Sequence, residues 1–470
     1  MRAFVAILAV CVGFGAAAPS ALADSPPEID GMESVDDREV RAQLLGDVGV
    51  ASLGGDLFLQ LTVSASIAYD GWRFVPRLPL RFRMVDEPPP GLKAIRDQDW
   101  DTLSDFGRLL PHLSYGPDGE LFHVRVGEMP NVTLGFGALI DRYNNTLDID
   151  HYQTGVYASV NHELAGGQLF VDDAFDPNLA AMRVVLKPLS WVPLIPWPAD
   201  KLQLGISVGA DFRAPRGVAA GKVQPLVADQ ARRVEVTEAE ALPLFAVDLS
   251  MPVDLFGDLR LTPYLEVASL DFATAGVHVG LGVAWRIDAM SHLRVRAEYR
   301  YHSAGHMPGY VSTFYDVERF SYAGQTKREH AAQWGEAGHG FDVEVELAMP
   351  PWLRLAIGVA HDTDSGTDVR VDLNAPNIGP VELRGSLVML DIAGVADLDP
   401  TTLASEGLRR LMAVGQVRIR IFDWLHLRGA VKHQWRLTDL EVFPAPTAKL
   451  EGRYATGLDY EAGVQGQLNF

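Results

Sequence analysis

Residues 56–69 alternate in character. Leu57, Leu59, Leu61, Val63, Ala65, Ile67 and Tyr69 fall on one face, and Gln60, Thr62, Ser64 and Ser66 on the other. Successive side chains of a strand point to opposite faces, so this spacing predicts a strand that is greasy on one side and polar on the other. Asp70-Gly71 supplies a tight turn. The return strand, 72–84, sets Trp72, Phe74, Leu78, Leu80, Phe82 and Met84 against Arg73, Arg77, Arg81 and Arg83. Both segments exceed the ~5–6 residues usual in globular sheets and suit the ~9–11 of a membrane-crossing strand.

The pattern recurs along the chain. It predicts strands at 107–115, 119–127, 131–138, 150–160, 166–173, 180–189, 202–213, 242–250, 258–270, 275–287, 291–302, 339–348, 352–362, 367–374, 380–391, 410–421, 425–437 and 459–470, twenty in all. Short connections (251–257, 288–290, 349–351, 422–424) interleave with long ones (214–241, 303–338, 392–409). Short periplasmic turns and long external loops mark a transmembrane barrel. The connection 190–201, with Trp191, Trp197 and three prolines, suits a turn at a membrane interface. The expected fold is all-β: a single antiparallel up-and-down transmembrane β-barrel with an even strand number, 18–20, both termini on the periplasmic side.

The last eleven residues carry a resemblance. Tyr460, Ala462, Val464, Leu468 and Phe470 share one face, with Glu461, Gln465, Gln467 and Asn469 on the other. This segment resembles the C-terminal signature of Gram-negative outer-membrane β-barrels, although Gly466 stands where that pattern prefers an apolar residue. The resemblance implies an outer-membrane location beside lipid and lipopolysaccharide, and a terminal Phe470 read by the barrel-assembly machinery. It identifies a porin-like class and no single family.

At the other end, Arg2, the apolar run Ala3–Ala18 and Ala21-Leu22-Ala23 have the layout of a secretory signal peptide, cleaved between Ala23 and Asp24. Lipoprotein processing at Cys11 is disfavoured by Val10, too bulky for the small residue it needs. Residues 24–55 then read as an acidic periplasmic leader or plug segment, and 56–470 as the barrel. Cys11 is the only cysteine, so a processed chain has no disulfide framework, thiolate chemistry or cysteine zinc site. The net charge of −21 argues against nucleic acid as a partner.

Several motifs fail on context. Gly205-Ile206-Ser207-Val208-Gly209 matches G-x-S-x-G, but Ser207 falls in mid-strand rather than at a strand-to-helix turn. His162-Glu163 lacks a second histidine, having Gly166 in its place, and 217–222 is one residue short of a phosphate loop. Residues 362–368 resemble a calcium loop, yet the glycine is misplaced and Leu373 stands where a bidentate glutamate is required. They read as an acidic hairpin tip. His302, His306, His330 and His339 bracket the longest loop without ligand spacing, so they read as external-loop histidines. No catalytic constellation, cofactor site or metal site is expected.

The inward faces carry what functional information there is. Arg294, Arg296 and Arg300 on 291–302 face Asp342, Glu344 and Glu346 on the next strand, with Arg354 beyond, as cross-strand pairs that stiffen the wall. Arg73, Arg77, Arg81 and Arg83 lack such partners: strand 56–69 offers only Gln, Thr and Ser inside, and 107–115 offers Arg108, His112 and Ser114. Arg418, Arg420, Arg428, Lys432 and Arg436 join them once closure sets 459–470 beside 56–69. Such a basic sector calls for an acidic counterpart, and two are in sequence: the leader 24–39, and the loop bearing Asp391, Asp397 and Asp399. The aromatic-rich loop 303–338 (Tyr310, Phe314, Tyr315, Phe320, Tyr322, Trp334) is a third candidate for insertion into the lumen. The expected function is passive diffusion of small hydrophilic solutes, with anionic or zwitterionic ones favoured. The alternative is a non-conducting barrel that anchors periplasmic or extracellular partners.

Overall fold

Every strand pairs with its neighbours in sequence, and the last pairs with the first, in the computed structural model. It describes residues 40–470 apart from 54–55, 86–93, 97–98, 118–120, 147–151, 193–194, 221–233, 257, 321–325, 393–410 and 437–454. The twenty strands are β1 (Arg41–Leu53), β2 (Asp56–Tyr69), β3 (Trp72–Val75 and Arg77–Val85), β4 (His112–Tyr115), β5 (Phe122–Gly127), β6 (Gly155–Asn161), β7 (Ala165–Val171), β8 (Leu179–Leu186), β9 (Gln203–Ala220), β10 (Val234–Ser250 and Val253–Leu255), β11 (Leu259–Leu270), β12 (Gly276–Arg286), β13 (His292–His302), β14 (Gly338–Met349), β15 (Leu353–Asp362), β16 (Gly366–Ile378), β17 (Val381–Ile392), β18 (Leu411–Phe422), β19 (Leu425–Arg436) and β20 (Ala455–Asn469). β3 breaks at Pro76 and β10 at Pro252, where the missing N–H interrupts the ladder.

The outward face is apolar and uncovered: Trp72, Phe74, Val208, Val279, Trp285, Val345 and Leu427 are all exposed, whereas the intervening inward residues are mostly buried or half-buried. An exposed apolar belt of this extent requires lipid. The sheet closes on itself, leaving no first or last strand without a neighbour, the condition for crossing a membrane with strands. The sheet is therefore a transmembrane β-barrel of the outer-membrane class. β3, β5, β13, β17 and β19 end, and the strands after them begin, at one end of the barrel, while the tight turns 70–71, 162–164, 350–352, 379–380 and 423–424 lie at the other, as the alternation of lengths predicts.

The expected loop 214–241 is shorter than read, since β9 runs on to Ala220 and β10 begins at Val234, and two strand assignments are corrected that offset one another in the count. Residues 41–53, expected within the leader, form β1 and lie between β2 and β20, with Ala42 opposite Ile67 and Leu44 opposite Leu468. Closure therefore does not set 459–470 beside 56–69. Leu44, Val48 and Val50 face outward, but Leu45 and Ala51 are inward and buried, so the alternation is diluted. Gly49 sits where a Cβ would meet the Ala462 carbonyl oxygen at 2.6 Å, a close approach that only glycine permits. Conversely, 131–138 is no strand. Its apolar residues Val132, Leu134 and Ala138 are buried in the barrel interior, and a period-two reading cannot tell that surrounding from lipid. The first half of 107–115 is likewise a 3-10 turn, Ser104–Leu109.

Phe470 is 77% exposed, and its backbone exchanges hydrogen bonds with Ala42 (2.8 and 3.3 Å), so the terminal residue takes part in closure. The signal-cleavage residues Ala23 and Asp24 and the leader 24–39 lie outside the described residues.

Candidate permeation path

Two long connections fold back into the lumen. In the first, 128–154, the backbone pairs with itself: Val132 and Tyr143 exchange hydrogen bonds at 2.9 Å, and Leu134 N–H donates to Ile140 O at 3.1 Å. Gly135 (φ 66°) and Gly137 (φ 97°) supply the left-handed backbone this tight excursion needs. The second connection, 303–337, docks beside it. Val311 N–H donates to Leu139 O (2.9 Å) and Asp141 N–H to Val311 O (2.9 Å). It carries two short helices, α1 (Tyr315–Glu318) and α2 (Lys327–Ala332), the latter opened by a Thr326/Glu329 capping box.

The pair has an apolar side and a polar edge. Leu134, Ala138, Leu139, Ile140, Tyr143, Tyr310 and Tyr315 pack with Phe170 of β7, Leu179 of β8, Leu242 and Leu244 of β10 and Leu270 of β11, one cluster inside the barrel. A second cluster seats Phe314 against Val388, Leu390, Met412 and Val414 of β17 and β18. The expected insertion of the aromatic loop is thus observed for Tyr310, Phe314, Tyr315 and Trp334, all buried; Tyr322 lies outside the described residues.

The polar edge faces β11 to β16. Phe136 stacks on Tyr264 (centroids 3.9 Å apart), and Ala138 N–H donates to Glu266 at 3.1 Å. Arg296 donates to Phe136 O (2.9 Å) and pairs with Asp141 and Asp342 (both 3.3 Å). Arg142 pairs with Glu344, with Asp141 at 3.1 Å and with Asp342 at 3.8 Å. Arg370 reaches Asn131 (3.0 Å) and Thr313 (3.1 Å), touching both connections. Burial works to raise the Asp141 carboxyl, but the guanidiniums of Arg142, Arg296 and Arg300 hold it below the usual carboxylate range. Burial and then the neighbouring Asp316 push Asp172, just beyond β7, up to about 8; backbone hydrogen bonds and the Arg319 guanidinium also work downward but are outweighed.

The expected pairing across β13 and β14 is present: Arg294 stands opposite Glu346 and Arg296 opposite Glu344, and Arg300 bonds Glu298 (2.5 Å) and Asp342 (3.1 Å). Solvation changes along this wall. The Arg294 and Arg354 side chains, near the tight-turn end, are 60% and 56% exposed, whereas Arg296 and Arg300 further out are at 20% and 11%. Among the described residues this wall is thus better solvated toward the tight-turn end than beside the inserted connections.

The arginines of β3 are not the unpaired ladder that the neighbouring strands alone suggest. Arg77 pairs with Glu128 (2.6 Å), Arg81 with Asp99 (2.9 Å) and Arg83 with Asp56 (3.1 Å); Arg73 is half-buried on the same face. Asp99 and Glu128 belong to the connections 86–111 and 128–154, so sequence-adjacent loops deliver acids that no strand pattern could reveal. In the same sector Arg428 bonds Asp47 (3.1 Å) and Glu461 (2.8 Å), and Arg418 bonds Glu382 (3.3 Å) and Gln467 (2.6 Å). Lys432 is buried opposite Asp459, and Arg420 is exposed. The side chain of Arg436, the proposed acidic leader, the side chain of Asp391, and Asp397 and Asp399 lie outside the described residues. Ser207 stands in mid-strand β9, flanked by Arg183 and Ala246, as its failed motif predicts.

No family model and no curated protein matches the sequence. Among solved structures, the chain is similar to a mutant of the ferric enterobactin receptor PfeA of Pseudomonas aeruginosa (9% identity, TM-score 0.37, 92% of this chain and 80% of that one). It is also similar to the siderophore receptor PirA of Acinetobacter baumannii (8%, TM-score 0.39, 93% and 81%) and to the outer membrane protein OpdK of Pseudomonas aeruginosa (10%, TM-score 0.32, 92% and 99%). At such identities and TM-scores, no ligand or role passes from these proteins to this chain.

Proposed function

We propose that this barrel is a narrow channel for small hydrophilic solutes, restricted from its outer end by the connections 128–154 and 303–337. The observation that carries the reading is the asymmetry of the inserted pair. Its apolar side is packed against β7 to β11, while its opposite edge presents Asp141, Arg142 and Asn131 to charged wall residues, where a hydrated path can run beside it. The most solvated inward charges of β13 to β15 are Arg294 and Arg354, nearer the tight-turn end; their acidic partner Glu346 is only 12% exposed. The field at that end is therefore positive and favours anions or zwitterions, by charge and size rather than by covalent chemistry.

Planar-bilayer recording of the purified full chain tests this. Discrete conductance steps with anion preference are expected, and Arg294→Gln/Arg354→Gln should reduce that preference with little change in step size. The apolar filling of one side of the lumen supports a second reading, a closed barrel serving as an anchor for partners. Membranes that stay silent while holding folded protein would favour that reading and sink the channel.

A further inference from the structure

Two features that the sequence spacing separates, the histidine that ends β13 and the acidic tip between β15 and β16, meet at the outer mouth of the barrel. His302 Nε2 lies 3.3 and 3.2 Å from the two oxygens of Asp362, and 3.6 Å from Asp364 Oδ2. The three groups present one ligand atom each within a 4.8 Å set. His302 Nδ1 lies 3.3 Å from the Ser303 carbonyl oxygen; as its donor, it leaves Nε2 turned to the carboxylates. A ring nitrogen oriented by a bond at the other is the usual second-shell arrangement of a metal-binding histidine.

The spacing fits a cation between these atoms. With ligand bonds of about 2.1 Å, the two separations from His302 Nε2, 3.2 Å to Asp362 and 3.6 Å to Asp364, subtend angles of roughly 100–120° at the ion, close to tetrahedral. Two glycines open the wall at this rung. Gly276 and Gly338 flank His302 across the ladders. A Cβ on Gly338 would meet His302 Nε2 and Asp364 Oδ2 at 2.6 Å, and one on Gly276 would meet His306 Nε2 at 2.4 Å. His306 is fully buried, and neither ring nitrogen has a partner among the described residues. It is a polar side chain held at the wall beside His302 with nothing to bond. Asp362 also lines a cavity of about 100 Å³ bounded by Trp334, Asp368 and Lys327, with room for water on that side of its carboxylate.

We propose that His302, Asp362 and Asp364 bind one divalent transition-metal ion of the zinc class. Imidazole with two carboxylates suits zinc, whereas calcium and magnesium take oxygen ligands in larger numbers. The ion clamps the β15–β16 hairpin to the end of β13, where the inserted connection 303–337 begins, and so holds the root of that connection.

The test uses untagged full-length protein in detergent, stripped with chelator and dialysed against zinc or calcium, with bound metal measured by mass spectrometry. One zinc per chain is expected, with calcium bound at least about 100-fold more weakly, and cobalt should give the visible absorption of a four-coordinate site. His302→Gln and Asp364→Asn should each weaken zinc binding by about 10-fold or more. Asp364 is in an exposed turn, so its variant folds, and heat-modifiable gel mobility checks both. Substoichiometric zinc, stoichiometric zinc that both variants retain, or calcium bound as tightly as zinc would each overturn the assignment.

Discussion

Arg142 is where the inserted connection meets the charged wall, and its replacement separates two contributions to docking. The side chain pairs with Glu344, Asp141 and Asp342 while 21% exposed, and Glu344 is 25% exposed. Breaking a fully buried pair costs about 3–5 kcal/mol and an exposed one about 0–1, so loss of this partly solvated cation should cost about 2 kcal/mol. Asp342 keeps Arg296 and Arg300, which limits the loss. The Arg142 backbone, meanwhile, is left-handed at φ 54°, a conformation that costs a non-glycine residue about 1 kcal/mol. Arg142→Ala loses the charge and keeps the strain; Arg142→Gly loses both. Hydrogen exchange of peptides spanning 131–143, followed by mass spectrometry, reads the docking equilibrium. Exchange should speed up about 30-fold in Arg142→Ala, from ~2 kcal/mol at ~1.4 kcal/mol per decade, and about 5-fold less in Arg142→Gly. An alanine variant within about threefold of the parent, or a glycine variant that exchanges faster than alanine, would refute this account.

Other outcomes follow from the same interior. A Cβ on Gly280 would fall 2.2 Å from the ring of Tyr264, which Phe136 and Glu298 (2.7 Å from its hydroxyl) hold in place; Gly280→Ala should cost about 1–3 kcal/mol, seen as a lower heat-modification midpoint and faster exchange at 131–143. Asp172 is raised by burial and Asp316 from an ordinary 3.8 to about 8. The docked state therefore binds the extra proton between about pH 4 and 8, and its stability falls as pH rises through that window. Exchange at α1, corrected for its intrinsic pH dependence, should accelerate as pH rises from about 4 to 8 and level off above that, and Asp172→Asn, which keeps the acceptor for Asp173 and Asn178 N–H, should flatten the response.

The barrel was legible because lipid imposes a local rule. Each strand that crosses must put apolar side chains outward at every second position, so β2, β12 and β13 announce themselves without reference to any partner. The rule weakens where an inward neighbour is itself apolar. Leu45 and Ala51 blurred β1, and 131–138 imitated a strand because the interior it packs into is as greasy as lipid. The cross-strand pairs of β13 and β14 could be read from the sequence because adjacent strands in a barrel are adjacent in sequence.

What the tertiary structure alone decided is whatever crosses the lumen. Arg77 meets Glu128 and Arg296 meets Asp141 through connections with no periodicity, whose path depends on the cavity they fill. His302 meets Asp362 and Asp364 across sixty positions, because β14 and β15 return the chain to the same rung of the barrel. Alternation specified which way each wall residue faces; only closure, and the folding of two loops through it, specified what each would find there.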